Sequence, residues 1–182
     1  MKKVFKNLLF LLLVIIVIIQ FIHPEKNISS PGVLLTNDIS KVYSVPDSVN
    51  HILQKSCYDC HSNNTTYPWY SKIQPVAWWL NNHIVEGKRE VNFSEFSTYR
   101  IGRQYKKMDE IIKQVKEDEM PLSSYTLIHR NAVLTADQKL AIANWAASIK
   151  DSIKAKYPAD SLIIKRPPNR LISQQPPSKK VA

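Results

Sequence analysis

The sequence predicts an all-α fold, with one small helical domain preceded by an N-terminal transmembrane helix. Three observations predict it. Apolar residues recur at helical spacing in four stretches of the middle of the chain, no stretch alternates in the manner of a strand, and lysines followed by an apolar run open the N-terminus. The 182 residues suffice for one domain with a sizeable core. No internal repeat is present.

The first element is the apolar run over residues 8–22, broken only by Gln20 and preceded by Lys2, Lys3 and Lys6. A basic start followed by an apolar segment has the layout of an export signal. Val4 and Phe5 extend the run and no small-x-small cleavage pattern precedes Pro24, so residues 1–23 are expected to be an uncleaved signal-anchor that spans the membrane once. The lysines then stay in the cytoplasm. All that follows is placed on the periplasmic, extracytoplasmic side of a bacterial inner membrane.

Residues 24–46 mix Ser, Pro and Asn with scattered apolar residues and read as a linker. The domain is expected over 47–156. Its first helix follows Pro46-Asp47-Ser48, buries Val49, Ile52 and Leu53 and runs into Cys57. A second starts near Pro75 with Val76, Trp79, Leu80 and His83 on one face, turning His83 inward, and Gly87 is placed to end it. The third covers 105–118, buries Met108, Ile111, Ile112 and Val115, and is stopped by Pro121. The last opens on Thr135 with Gln138 three residues on, a capping box, and carries the stripe Ile142, Trp145, Ala146, Ile149. Residues 157–182 hold five of the eleven prolines among Lys, Arg, Ser and Gln and are expected to be a disordered basic tail.

Charge narrows the partner classes. Residues 1–7 hold +3 and residues 150–182 hold +6 of the formal +10, which leaves +1 for the middle. A nucleic-acid-binding fold would concentrate its charge on one folded face. No nucleic-acid partner is expected.

The only two cysteines lie in Cys57-Tyr58-Asp59-Cys60-His61, and C-x-x-C-H is the spacing that attaches a c-type haem covalently. Two thiols three residues apart on a helical turn share a face and can each add to one porphyrin vinyl group, while the adjacent His61 presents an imidazole to the iron. Three other readings compete. A thioredoxin-like pair needs a βαβ setting, whereas this motif has helical surroundings. A zinc site lacks its second close ligand pair. A disulfide this short is strained in a helix and leaves His61 without a role.

The stretch from Cys57 through Trp145 resembles a bacterial haem-binding domain family, monohaem and related to class I cytochromes c. The resemblance rests on the run from Cys57 to Tyr70, on Gln74 to Trp79, on Gly87, on Asn92-Phe93-Ser94, on Met120-Pro121, and on Leu134-Thr135 leading to Trp145. It implies a small cytochrome c-like helical fold. It also implies that a Met from a loop before the last helix is the sixth iron ligand, and Met120 occupies that place. A thioether there favours reduced iron. His83 is the alternative, as a bis-His ligand or else a core histidine, with His129 less well placed and His51 at the surface. Met108 is expected to fill the core. Tyr67, Trp69, Tyr70, Trp78 and Trp79 are candidates to wall the haem from water or simply to pack, and Lys88 and Arg89 to pair with its propionates or stay solvated.

These residues point to one haem c held by Cys57, Cys60, His61 and Met120, and to one-electron transfer with partner redox proteins at the outer face of the membrane. With both axial positions taken, the protein is not expected to be an enzyme. A haem-based sensor or peroxidase-like enzyme needs an open or displaceable sixth site, with His83 as its distal group. An interaction module stapled by haem is the third class.

Overall fold

The computed structural model describes residues 2–29 and 36–164. Among them every regular element is helical. Helix α1 (Lys2–Ile19) has 18 residues and buries none of them. No helix of the described residues is long and apolar enough to cross a membrane. The transmembrane span expected over 1–23 is therefore not met. Lys2, Lys3 and Lys6 fall inside α1, and the apolar length they leave is short of the roughly 20 residues a bilayer core requires.

The chain after α1 does not run free. Gln20 and Gln74 exchange two hydrogen bonds between Gln20's side-chain amide and Gln74's backbone, Nε2 to O at 3.2 Å and N to Oε1 at 2.9 Å, and Gln74 Nε2 donates to the Ile22 carbonyl at 2.6 Å. Asn27 donates its N–H to Tyr67 Oη at 2.7 Å and its Nδ2 to the Ser62 carbonyl at 2.8 Å, and Ser29 N–H reaches Asn64 Oδ1 at 2.9 Å. Helix α2 (Ile39–Val42), capped by Asp38, places Ile39 in the core. Tyr43 then donates to Gln104 Oε1 at 2.6 Å, and the Ser44 carbonyl accepts from Trp145 Nε1 at 3.1 Å. The stretch read as a linker thus clasps the domain from both sides of residues 30–35.

Helix α3 (Asp47–Ser56) turns Val49, Ile52 and Leu53 inward, as the sequence predicts, and stops at Cys57, whose extended φ of −129° separates it from helix α4 (Tyr58–His61). Helix α5 (Val76–Glu90) buries Ala77, Leu80 and Ile84. Its inward stripe is shifted from the predicted one. Trp79 is exposed, His83 is half-buried, and the helix runs three residues past Gly87. Gly87 serves contact, because a Cβ there would lie 2.7 Å from the Cys60 carbonyl. After α5, the Asn92 side chain accepts from Ser94 N–H at 3.1 Å and donates to Asn63 Oδ1 at 2.8 Å, while Phe93 and Phe96 enter the core. The Asn-Phe-Ser run therefore fastens the segment after His61 to the end of α5.

Helix α6 (Ile101–Lys116) lies along the long last helix. Met108 and Val115 are buried and Ile111 and Ile112 pack at the margin of the same core. Pro121 does not end it. The chain turns at Asp118, which takes a positive φ of 60°, and the Gln114 carbonyl accepts from Glu119 N–H at 3.0 Å and Met120 N–H at 3.2 Å. Helix α7 (Ser123–Ile128) is followed by helix α8 (Ala136–Lys156). The predicted capping box is present, with Thr135 N–H donating to Gln138 Oε1 at 2.9 Å and Gln138 N–H to Thr135 Oγ1 at 3.2 Å. Ile142, Trp145, Ala146, Ile149 and Ile153 then face the core. The start of the expected tail is folded as well, for residues 159–162 form a turn against α6, where a Cβ on Gly102 would come within 3.0 Å of the Ser161 carbonyl. Residues 165–182, on which most of that expectation falls, lie outside the described residues.

Candidate functional site

The site is built on the break between α3 and α4. The Cys57 carbonyl accepts from Cys60 N–H at 3.2 Å and from His61 N–H at 2.9 Å, and this single turn brings two thiols and an imidazole to one place. Both cysteines are free and half-buried. Burial pushes the Cys57 thiol up to about 12, with Cys60 beside it adding to the shift, and burial and then Asp59 push Cys60 up to about 11. Both are neutral S–H groups at neutral pH.

His61 is fixed from behind. Its Nδ1 lies 2.9 Å from the Gly87 carbonyl and 3.0 Å from the Val91 carbonyl, and both partners can only accept. Nδ1 therefore carries the hydrogen and Nε2 keeps a lone pair, the tautomer that a metal-binding histidine requires. Burial lowers the His61 pKa, against the opposing pull of the two carbonyls, which keeps the ring neutral. Phe93 packs its ring edge-on at 6.3 Å and is itself stacked on Tyr58 at 5.4 Å. Helix α5 can approach closely enough to supply the Gly87 carbonyl because residue 87 has no side chain.

Two cavities open on this group, of about 300 and 440 Å³, and they share Ser56, Cys57, His61, Glu90, Met120 and Pro121. The smaller is completed by Asp59, Cys60, Asn82, His83, Glu86, Gly87, Leu122 and Tyr125, and the surface these present to it is mainly carbon. The larger is completed by Leu53, Val91, Phe93, Ile111, Val115 and Ile142, with Lys107, Glu110, Lys113 and Gln114 on its polar side. Such volumes are those of small-molecule sites. Between them the cavities offer a broad apolar ligand two thiols, a neutral imidazole and a thioether, with charged groups along the side of the larger. The donor set suits iron in a porphyrin.

Cys57, Cys60, His61, Met120 and His83 all line the smaller cavity, so these five predicted residues are brought together. Only Cys57, His61 and Met120 of them line both cavities. His83 stacks on Trp79 at 4.3 Å and donates Nδ1–H to the Trp79 carbonyl at 2.8 Å, a part-exposed position on the rim. Met108 is wholly buried in the core, and His51 is exposed on α3.

Other candidates sit elsewhere. His129 lines neither cavity and is bonded to Tyr70 Oη at 2.6 Å. Lys88 donates to Asn27 Oδ1 at 2.6 Å, Arg89 pairs with Glu86, and neither lines the two cavities. None of Tyr67, Trp69, Tyr70, Trp78 and Trp79 lines either of these two cavities, and Trp69 is 75% exposed. The aromatic walls are Phe93 and Tyr125. Tyr125 escaped the sequence reading because it lies on a short helix with no apolar period. It donates its hydroxyl to Asp59 Oδ2 at 2.7 Å, and burial followed by that bond pushes its phenol well above the usual range. Lys107 was also missed. It is held by Glu90 at 3.0 Å and Glu110 at 2.6 Å at the polar side of the larger cavity, and no spacing rule in the sequence joins these three.

A family model described as a haem-binding domain matches residues 14–148, beginning in α1 and ending in α8. No curated protein and no solved structure matches the chain. The match takes in the helical turn with its two thiols, the imidazole held by α5, the methionine loop and both cavities, and the chain belongs to the haem-binding domain family.

Proposed function

We propose that the protein carries one haem c and passes single electrons between partner redox proteins at the extracytoplasmic face of a bacterial inner membrane. The observation that supports this most is the state of His61, whose Nδ1–H is committed to two carbonyls and whose Nε2 lone pair is left beside two thiols one helical turn apart. Attachment uses both cysteines. The two S–H groups would hold the haem through thioether links to its vinyl groups, an addition that needs no leaving group and no oxidant. When bound, the haem supplies a one-electron iron couple.

The remaining work belongs to the chain. His61, oriented by the Gly87 and Val91 carbonyls, would hold the iron through Nε2. Met120, which lines both cavities, would hold it through its thioether, whose soft sulfur favours the reduced state. Leu53, Val91, Phe93 and Ile142 exclude water on one side. With His61 and Met120 both available to hold the iron, electron transfer is favoured over catalysis at iron. The basic start and apolar body of α1 act as an export segment, which puts the thiols outside the cytoplasm where this attachment is made.

The test is the full chain produced with c-type maturation and examined on a denaturing gel and by its visible spectrum. Wild type should carry covalent low-spin haem, Cys57→Ser/Cys60→Ser should carry none, and the weak red thioether-to-iron band should vanish in Met120→Ala and survive in His83→Ala. A chain that emerges without covalent haem overturns the reading. One observation favours a second reading, since His83 lines the same cavity as His61 and could serve a displaceable sixth site as a distal base. Peroxide turnover by wild type, lost in His83→Ala, would select it.

A further inference from the structure

The walls of the smaller cavity come from different parts of the chain: the α4 turn with Asp59, Cys60 and His61, the face of α5 from Asn82 to Glu90, and the segment Met120-Pro121-Leu122 with α7. On its own side, Met120 is tied by its N–H to the Gln114 carbonyl at 3.2 Å, a bond that holds the backbone and leaves the segment ahead of it to be placed by other means. The tie that reaches across at the cavity wall is Tyr125 Oη donating to Asp59 Oδ2 at 2.7 Å.

Asp59 is itself firmly set. Its Oδ1 accepts from Thr66 N–H at 2.9 Å and its carbonyl accepts from Thr65 Oγ1 at 2.6 Å, so the carboxylate has one oxygen left for a partner from outside its own loop. Tyr125 is set as well. Its ring lies flat on His129, centroids 4.3 Å apart at 17°, and His129 Nε2 meets Tyr70 Oη at 2.6 Å. The two ends of the Tyr125–Asp59 bond are therefore both anchored, one of them inside the Cys57–His61 motif and the other five residues after Met120. A neutral donor on a carboxylate is among the stronger hydrogen bonds in a protein.

We infer that Tyr125 and Asp59 form a latch that holds the Met120 segment against the haem, making Tyr125 a positioning residue for the sixth iron ligand. This rests on the reading of Met120 as that ligand and deepens it. The latch decides how often the thioether leaves the iron, and so whether the centre stays closed as a carrier or opens to a small ligand.

The test uses the full haem-loaded chain, with carbon monoxide as the probe of the sixth position in the reduced state. Tyr125→Phe keeps the ring on His129 and removes only the hydroxyl. It is expected to retain covalent haem and wild-type helicity, to weaken the red thioether-to-iron band, and to bind carbon monoxide about tenfold faster or more, as expected if about 1.4 kcal/mol of the closed state is lost. Asp59→Ala should do the same, and the double variant should be no worse than either single, because both break one bond. Should Tyr125→Phe fail to load haem, Asp59→Asn, which weakens the same bond from its other end, takes its place with the same two readings. Carbon monoxide binding and a red band unchanged from wild type overturn the latch, as do fully additive effects. A wild type without the red band overturns Met120 as the ligand instead, so the two failures are told apart.

Discussion

At the scale of the residue, the site turns on how His61 is held. Both acceptors of Nδ1–H are backbone carbonyls, so no substitution of a side chain can remove them directly. Burial lowers the pKa of His61, and the haem-free protein should record it in its stability. The unfolded chain takes up a proton near the ordinary imidazole value of about 6.5, and the folded chain takes it up only at lower pH. Stability from this group is therefore complete above the ordinary value and declines as pH falls toward the folded pKa. A urea midpoint that drops between about pH 8 and about pH 5 in the haem-free protein, with a shallower drop in His61→Gln, would agree. Equal slopes in the two proteins would assign the dependence to other groups.

At the scale of the element, α4 and α5 approach each other closely. The approach depends on Gly87, because a methyl group there meets the Cys60 carbonyl at 2.7 Å and Cys60 Cβ at 3.1 Å. Neither can give way cheaply, since one is backbone and the other is a Cβ, the stem rather than the far end of a side chain. Gly87→Ala should destabilise the fold by about 1–3 kcal/mol, the usual cost of overpacking. It should also lower haem loading, because the displaced helix carries the carbonyls that orient His61. Denaturant unfolding and the haem content of the purified chain measure the two effects. Stability and loading both equal to wild type would mean that α5 can shift without loss.

At the scale of the whole molecule, the domain is wider than its helices suggest. Ile39 is fully buried among Val49, Leu53, Phe93, Phe96 and the α8 residues, although it lies in a stretch whose composition reads as a linker. Ile39→Ala should cost about 2–5 kcal/mol in chemical denaturation, the range for deleting a buried aliphatic side chain. A true linker residue would cost close to nothing. At the other end, residues 159–162 seat against Gly102, so the fold extends past α8 before the described residues end at 164.

Much was legible in the sequence because it is written in local spacing. The interior of α3, the stripe of α8 with its capping box, the burial of Met108 and the Cys57–His61 motif follow from period and neighbour chemistry alone. What failed to follow depends on contacts between distant residues. The inward face of α5 is set by the closeness of α4, so Gly87 reads as a stop signal in the sequence and acts as a contact point in the fold. The end of α6 is set by Asp118 and the Gln114 carbonyl, ahead of the proline that draws the eye. Tyr125 meets Asp59 across 66 residues and Lys107 meets Glu90 across 17, separations at which periodicity carries no information. The sequence by itself determined that the chain is helical and where its thiols and imidazole stand together. Only the tertiary structure decided which ring nitrogen of His61 is left to bind and which distant residues close the cavity around it, because hydrogen bonds and packing between remote segments leave no repeat in the order of the amino acids.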